Sequence, residues 1–165
     1  MTNTPTIETG LIKPHGVLAA RELLADLRAV PALEKYVLPE LWISGKQEQS
    51  ILAKTNAAGI CVAVGLAEDR LPHPNDATQG GTLNVGLAVY VFSTLQLAIT
   101  AERVERQHGV WLTVVSNAHR YSYTAGARKI KARLTQCAEV DLKEISTFAD
   151  KITAQALMLE VPIGI

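Results

Sequence analysis

The chain is poor in charged residues, aromatic residues and cysteine. Of its 165 residues, 19% are charged, 5% are aromatic and two are cysteines, and the formal net charge is zero. This balance excludes a whole-protein electrostatic attraction to nucleic acid or to an acidic membrane surface, although a local patch remains compatible with it. Hydrophobic residues make up 48% of the chain, which indicates a folded protein with an aliphatic core and a length suited to one domain.

The two cysteines, Cys61 and Cys137, each lie in an apolar, strand-like run. This placement predicts two buried free thiols, with a single disulfide as the alternative. Since no CxxC motif or Cys/His cluster is present, we expect no zinc site. The opening stretch "MTNTPTIETG" is polar, and no apolar run is unbroken over the ~20 residues that a membrane span needs. We therefore expect a protein that is made and kept in the cytoplasm.

Hydrophobic residues at helical spacing predict three helices. The longest has Thr100 as its N-cap and contains Gly109, which weakens a helix by about 1 kcal/mol relative to alanine. Its predicted apolar stripe consists of Val104, Trp111, Val115 and Ala118, with Val114 alongside. The three helices are predicted within residues 13–31, 46–59 and 100–119.

Two stretches, residues 60–67 and 82–94, are apolar on both faces. A strand of this kind is covered on both sides, by helices or by neighbouring subunits. The simplest topology is an antiparallel hairpin whose connection is "DRLPHPNDATQGG", residues 69–81. Hairpin connections normally have two to five residues. A thirteen-residue connection therefore predicts a functional role for this loop.

The C-terminal part again has strand character. In residues 127–145, alternation predicts a strand with one face buried, formed by Ile130, Ala132 and Leu134, and one face exposed, formed by Lys129, Lys131 and Arg133. Residues 152–165 predict a final strand with Pro162 near its edge. The predicted fold class is α+β, with a mostly antiparallel β-sheet flanked by helices in the order α-β-β-α-β-β once the short second helix is left out. We expect an N-terminal arm, residues 1–13, followed by one domain, residues 14–165.

No constellation of residues predicts catalysis. The loop contains His73 with Asp69 and Asp76, but its Pro, Asn, Asp and Gly-Gly residues are turn formers first. Three other histidines, His15, His108 and His119, are paired with no Cys, Ser or carboxylate at the spacing of a known triad or metal motif. We therefore expect no enzyme activity, no cofactor and no metal.

The strongest local charge is the stripe formed by Lys129, Lys131 and Arg133. Such a stripe protects an edge strand from aggregation when it faces solvent. Alternatively, it contacts an acidic partner surface or the phosphates of passing DNA. Because no aromatic platform is interleaved with these residues, sequence-specific binding of nucleic acid is not expected.

The order of elements over residues 14–162 resembles that of a known family. An N-terminal helix leads through "LPELWISG" to the strand "AAGICVAVGLAE", a loop, the strand "GTLNVGLAVYVFS", a long helix and two closing strands, the last being "ITAQALMLEVPI". In this order and hydrophobicity the chain resembles the tail terminator (minor tail, or tail-completion) proteins of long-tailed bacteriophages and related contractile machines. Residues 44–57 and the polar N-terminus are additions to that pattern.

The resemblance implies a structural virion protein of the tail or neck, made in the host cytoplasm. Such a protein forms a homo-oligomeric ring, commonly a hexamer, that terminates the tail tube and joins the tail to the head connector. Its implied partners are further copies of itself, the tail tube protein, the neck or connector protein and, in a contractile tail, the sheath protein. DNA is implied only as passing cargo, and a membrane is not implied.

Under this hypothesis the long loop contacts a neighbouring subunit, the tube or the connector. The candidate contact residues are Arg70, His73, Asn75, Asp76, Gln79, Lys129, Lys131 and Arg133. One alternative is another head-completion or tail-completion protein of the neck. A second alternative is a small α+β ligand-binding protein or enzyme, whose pocket would be lined by His73, Asp76, Tyr90 and Trp111.

Overall fold

The computed structural model describes residues 11, 13–42, 48–67, 82–94, 100–141 and 152–164. These residues form three helices, α1 (His15–Arg28), α2 (Glu48–Ala58) and α3 (Ala101–Arg120). They also form six strands, β1 (Ile60–Leu66), β2 (Thr82–Thr94), β3 (Ser122–Ala125), β4 (Arg128–Lys131), β5 (Arg133–Val140) and β6 (Ile152–Gly164). The predicted class, one α+β domain with an antiparallel sheet, is confirmed.

Four of the strands form an antiparallel sheet in the order β1-β2-β6-β5. The predicted hairpin of β1 and β2 is confirmed, with Ile60 opposite Ser93 and Leu66 opposite Leu87. The last strand, β6, lies in the interior of the sheet between β2 and β5. Pro162 can lie in this interior strand because β5 begins only opposite Glu160. At Pro162, β2 is therefore the one described neighbour of β6, and the missing backbone N–H of proline leaves fewer sheet hydrogen bonds unmade.

Both faces of the sheet are covered because β1 and β2 carry apolar side chains on both faces. The main core packs α1 and α3 against one face, and β1, β2 and β6 contribute alternate residues to it. On the opposite face, Ile51 of α2 packs with Phe92 of β2 and Cys61 of β1 in a second, smaller core. The segment from Val37 to Trp42 follows the outer edge of β1 with parallel bridges to Val62 and Gly65.

The prediction of a single strand over residues 127–145 is wrong, because the chain passes from one sheet to the other at Ala132. The Ala132 N–H donates to the Tyr121 carbonyl at 3.0 Å, which ends the separate β3–β4 sheet and directs the chain into the main sheet as β5. A β-bulge between Leu134 and Gln136 then shifts the register against β6. Leu134, which alternation predicted to be buried, is 39% exposed on this edge strand.

Helix α3 begins as predicted, with the Arg103 N–H donating to the Thr100 side chain at 3.2 Å. Its predicted stripe is wrong in part. The buried residues are Val110, Val114 and Ala118, whereas Val104 is 49% exposed and Trp111 is half-buried. The helix is therefore rotated so that the face of Trp111 borders the core instead of filling it. No helix among the described residues is long and apolar enough to cross a membrane.

Replacing Gly109 by alanine is expected to raise the free energy of unfolding by about 1 kcal/mol, because glycine loses more backbone entropy in a helix. A Cβ at this position would have no atom within 4 Å, so no clash offsets the gain. Urea denaturation measures the change. The matched control is Gly65→Ala, where a Cβ would lie 3.3 Å from Tyr90 Cε2 and 3.5 Å from the Trp42 carbonyl oxygen. A gain of equal size in both variants would contradict this account.

Candidate functional site

Five of the eight predicted contact residues, Arg70, His73, Asn75, Asp76 and Gln79, lie outside the described residues. The described ends of their connection are the last residues of β1 and the first residues of β2. There, β2 extends five residues beyond the end of β1, from Gly86 to Thr82, and pairs with β6 as far as Gly164. The connection therefore leaves from the end of the sheet at which β6 finishes.

The other three predicted contact residues, Lys129, Lys131 and Arg133, are exposed, as predicted. They do not form one strand face, however. Lys129 and Lys131 lie on β4 opposite Thr124 and Ser122, whereas Arg133 belongs to β5 and places its guanidinium 4.0 Å from the Glu160 carboxylate. The structure thus divides the predicted stripe between two sheets.

The β3–β4 hairpin is held to α1 by hydrogen bonds that range from buried to exposed. The Tyr121 hydroxyl donates to the Ala19 carbonyl at 3.0 Å, and the Tyr123 hydroxyl lies 2.8 Å from His15 Nδ1. The Glu22 carboxylate accepts from both the backbone N–H and the hydroxyl of Thr124, each at 3.2 Å. These contacts hold the hairpin, with Arg128, Lys129 and Lys131 at its surface, in one orientation. We call residues 122–131 the basic hairpin.

Charge compensation within the basic hairpin is uneven. Burial raises the pKa of the Asp26 carboxyl and the nearby Glu22 charge adds to that effect, while the Lys129 ammonium opposes it. Lys129 is therefore close to the Asp26 carboxylate of α1, which offsets its charge. Neither Arg128 nor Lys131 forms an ion pair within the part of the chain that the structure describes. The positive charge available to a partner is thus centred on these two residues.

A cleft of about 570 Å³ lies between the first half of α3 and the end of the sheet. Sequence patterns did not predict it, because Val104 and Trp111 were assigned to the core. We call it the α3–sheet cleft. It is lined by Val91, Ser93, Val104, Gln107, His108, Trp111, Glu139, Val140, Asp141, Ile152, Thr153, Ala154 and Gln155.

The residues of the predicted ligand pocket are not brought together. Trp111 lines the α3–sheet cleft, but Tyr90 lies on the opposite face of the sheet, where its ring contacts Trp42 edge-on at 4.6 Å. His73 and Asp76 lie outside the described residues. The cleft instead combines an indole ring with the carboxyl groups of Glu139 and Asp141. This combination suits a guanidinium or ammonium group, which carboxylates and aromatic faces both attract.

The two cysteines lie in different environments. Cys61 is fully buried, and burial raises the pKa of its thiol to about 12. The prediction of a buried free thiol is confirmed for Cys61 but wrong for Cys137, which is free and exposed because β5 is an edge strand. Within the described part of the chain, no group of three or more His, Cys, Asp or Glu side chains is arranged to hold a metal ion.

Comparison with protein-family models gave no match, and comparison with curated proteins gave none either. Among solved structures, the chain is similar to a crystal structure from Akkermansia muciniphila. The TM-score is 0.26 at 10% sequence identity, over 94% of this chain and 81% of that chain.

Proposed function

We propose that the chain is a structural virion protein of a phage tail or neck. In this role it forms a ring that terminates the tail tube and joins the tail to the head connector. Its partners are other copies of itself, the tube protein and the neck or connector protein. The α+β fold, with a two-faced antiparallel sheet between helices, is compatible with the family that the sequence resembles.

The observation that carries the proposal is the exposure of large apolar side chains on α3 and on the edge strand β5. On α3, Val104 is 49% and Leu112 is 54% exposed, and Leu134 on the edge strand β5 is 39% exposed. Residues 133–137 of β5 are all exposed, so this edge is available to another subunit. Large apolar side chains that are exposed on a helix and at a sheet edge are available for contact with other proteins. The low charge of the chain also suits burial in an assembly.

The mass of the purified protein in solution tests the proposal. Light scattering at physiological salt, alone and with a candidate tail tube protein, is expected to show a ring-sized species, commonly of six subunits, either from the start or once the tube protein is added. Deleting residues 71–79 from the long loop is expected to weaken this assembly. A strict monomer that ignores the tube protein, with no effect of the deletion, would contradict the proposal.

Two other functions give different results in the same experiment. A different ring-forming neck protein assembles but does not bind the tube protein. A small ligand-binding protein or enzyme is favoured by one observation, the α3–sheet cleft with Trp111 and two carboxyl groups. Such a protein remains a monomer, and small cationic ligands quench the fluorescence of Trp111.

A further inference from the structure

We infer that the basic hairpin binds the phosphate backbone of double-stranded DNA without reading its sequence. The inference does not depend on the proposed ring, because it concerns a surface that each single subunit carries. It is carried by the separation of charge along the chain, by the exposure of the basic residues at the hairpin and by the polar character of the side chains that residues 122–131 expose.

Opposite charges are separated along a chain whose formal net charge is zero. Residues 119–133 contain five Lys or Arg and no Asp or Glu, whereas the rest of the chain contains eleven Lys or Arg and sixteen Asp or Glu. A charged edge that only prevents aggregation can use residues of either sign. A run of one sign instead produces a local field that attracts a polyanion, even when the whole protein is neutral.

All five basic residues of this run are exposed. Two of them have a carboxylate nearby. Lys129 is offset by Asp26, and the Arg133 guanidinium lies 4.0 Å from the Glu160 carboxylate. The other three form no ion pair among the described residues, namely Arg120, Arg128 and Lys131.

These three charges are spread along the hairpin. Lys131 lies opposite Ser122 at the base of the hairpin, close to Arg120, which directly precedes it in the chain as the last residue of α3 but one position. Arg128 lies opposite Ala125 at the turn. The three residue steps from Arg128 to Lys131 cover about 10 Å, which corresponds to about three base-pair steps of DNA. The hairpin can therefore contact about three phosphates of one strand.

The side chains of the hairpin favour nucleic acid over an acidic protein surface as the partner. The core of a protein–protein interface is formed by aromatic and aliphatic side chains. None of the exposed large hydrophobic residues of the described chain lies within residues 122–131. Phosphate backbones are instead contacted by basic and hydroxyl groups, and these are the groups that the hairpin exposes on Thr124, Arg128, Lys129 and Lys131.

Double-stranded DNA is favoured over single strands and over RNA. Single strands are bound through bases that stack on exposed aromatic rings, but Tyr121 and Tyr123 are each 3% exposed. Duplex RNA is recognised largely through its ribose 2′-hydroxyls. The Thr124 hydroxyl, which could make such a contact, already donates to the Glu22 carboxylate. Contacts to the phosphates of a DNA duplex need neither feature.

Fluorescence anisotropy with a short labelled DNA duplex tests the inference. The wild type is expected to bind at about 50 mM salt, and the logarithm of its binding constant should fall with the logarithm of the salt concentration with a slope of about −2 to −3. Lys131→Glu and Arg128→Glu, made singly, are each expected to weaken binding about tenfold at this salt concentration and to reduce the magnitude of the slope by about one. Lys131→Arg keeps the charge and should bind like the wild type.

Lys35→Glu is the matched control, because it makes the same change of charge at an exposed residue beside Gly109 in the middle of α3. It should bind the duplex like the wild type. Unaltered circular dichroism shows that each variant is folded. Polyglutamate, single-stranded DNA and an RNA duplex of the same sequence, each added at the same total charge, serve as competitors and should displace the labelled duplex less effectively than unlabelled duplex DNA.

Each outcome bears on the inference. A wild type that does not bind the duplex at about 50 mM salt overturns it, and so does equal weakening by Lys35→Glu, which would show that only net charge matters. Displacement by polyglutamate as effective as that by duplex DNA would assign the hairpin to an acidic protein. Equally effective displacement by single-stranded DNA or by duplex RNA would overturn the assignment to double-stranded DNA. The ring is tested separately, by light scattering, and stands or falls without these results.

Discussion

Replacing Phe92 by alanine is expected to lower the free energy of unfolding by about 3–5 kcal/mol. Phe92 is 1% exposed and is among the largest fully buried side chains of the described residues. Its ring meets Trp42 edge-on at 5.5 Å and stacks with Tyr90 at 6.1 Å. Because β2 is held by β1 on one side and β6 on the other, the backbone cannot move in to fill the cavity.

Urea denaturation followed by circular dichroism measures this loss. Phe92→Leu keeps part of the volume and should lose less. Leu112→Ala is the surface control, since Leu112 is 54% exposed, and it should change the unfolding free energy by less than about 0.5 kcal/mol. If Phe92→Ala lowers the free energy of unfolding by no more than this control, then Phe92 is not buried in the second core against α2 as described.

The protein is also expected to lose stability steeply above about pH 9. Burial raises the pKa of the Cys61 thiol to about 12 and raises the pKa of the Tyr90 hydroxyl. Burial, with the nearby Glu22 charge, raises the pKa of the Tyr121 and Tyr123 hydroxyls as well. In the unfolded chain these groups lose their protons near their ordinary pKa values, about 8.5 for Cys and 10 for Tyr.

The direction of the effect follows from which state loses protons first. Below pH 8 all four groups are protonated in both states, so they do not change the unfolding free energy. As pH rises through the ordinary pKa values, these groups ionise in the unfolded chain but stay protonated in the folded chain. The free energy of unfolding therefore falls by up to about 1.4 kcal/mol per pH unit for each group whose folded-state pKa lies well above its unfolded-state pKa. The loss continues until pH reaches the folded-state values.

Unfolding free energies measured by urea titration between about pH 8 and pH 11 check this expectation. Tyr121→Phe removes one of the four groups and should flatten the decline. The same variant should lose about 1 kcal/mol at neutral pH, because the hydrogen bond from the Tyr121 hydroxyl to Ala19 is gone. An unfolding free energy that stays constant up to pH 11 would contradict the burial of these groups.

Local patterns predicted the elements whose evidence lies within one segment. The helix from Thr100 and the hairpin of β1 and β2 were identified because apolar spacing and capping chemistry are local. The strand over residues 127–145 was not, because alternation shows which side chains share a face and not which sheet a strand joins. Its division at Ala132 depends on a hydrogen bond to Tyr121, and the exposure of Cys137 depends on the position of β5 at an edge.

The candidate site was predicted only in part for the same reason. Exposure of Lys129 and Lys131 follows from alternation, but the carboxylate that offsets Lys129, Asp26, comes from α1, roughly a hundred residues earlier. The α3–sheet cleft is formed by α3, β2, β5 and β6, so no single segment contains its signature. One sequence signal for the basic hairpin was available: residues 119–133 contain five basic residues and no acidic residue.

The position of β6 affects how the chain folds during synthesis. A ribosome delivers β2 and β5 before the strand that pairs with both. Until β6 emerges, β2 has one unpaired edge and apolar side chains on both faces, a combination that favours association between nascent chains. Closing the β2–β6 pair also bridges residues 95–151, and contacts this distant in sequence form slowly. Crowded polysomes, in which nascent chains lie close together, are therefore a condition under which this chain is prone to aggregate.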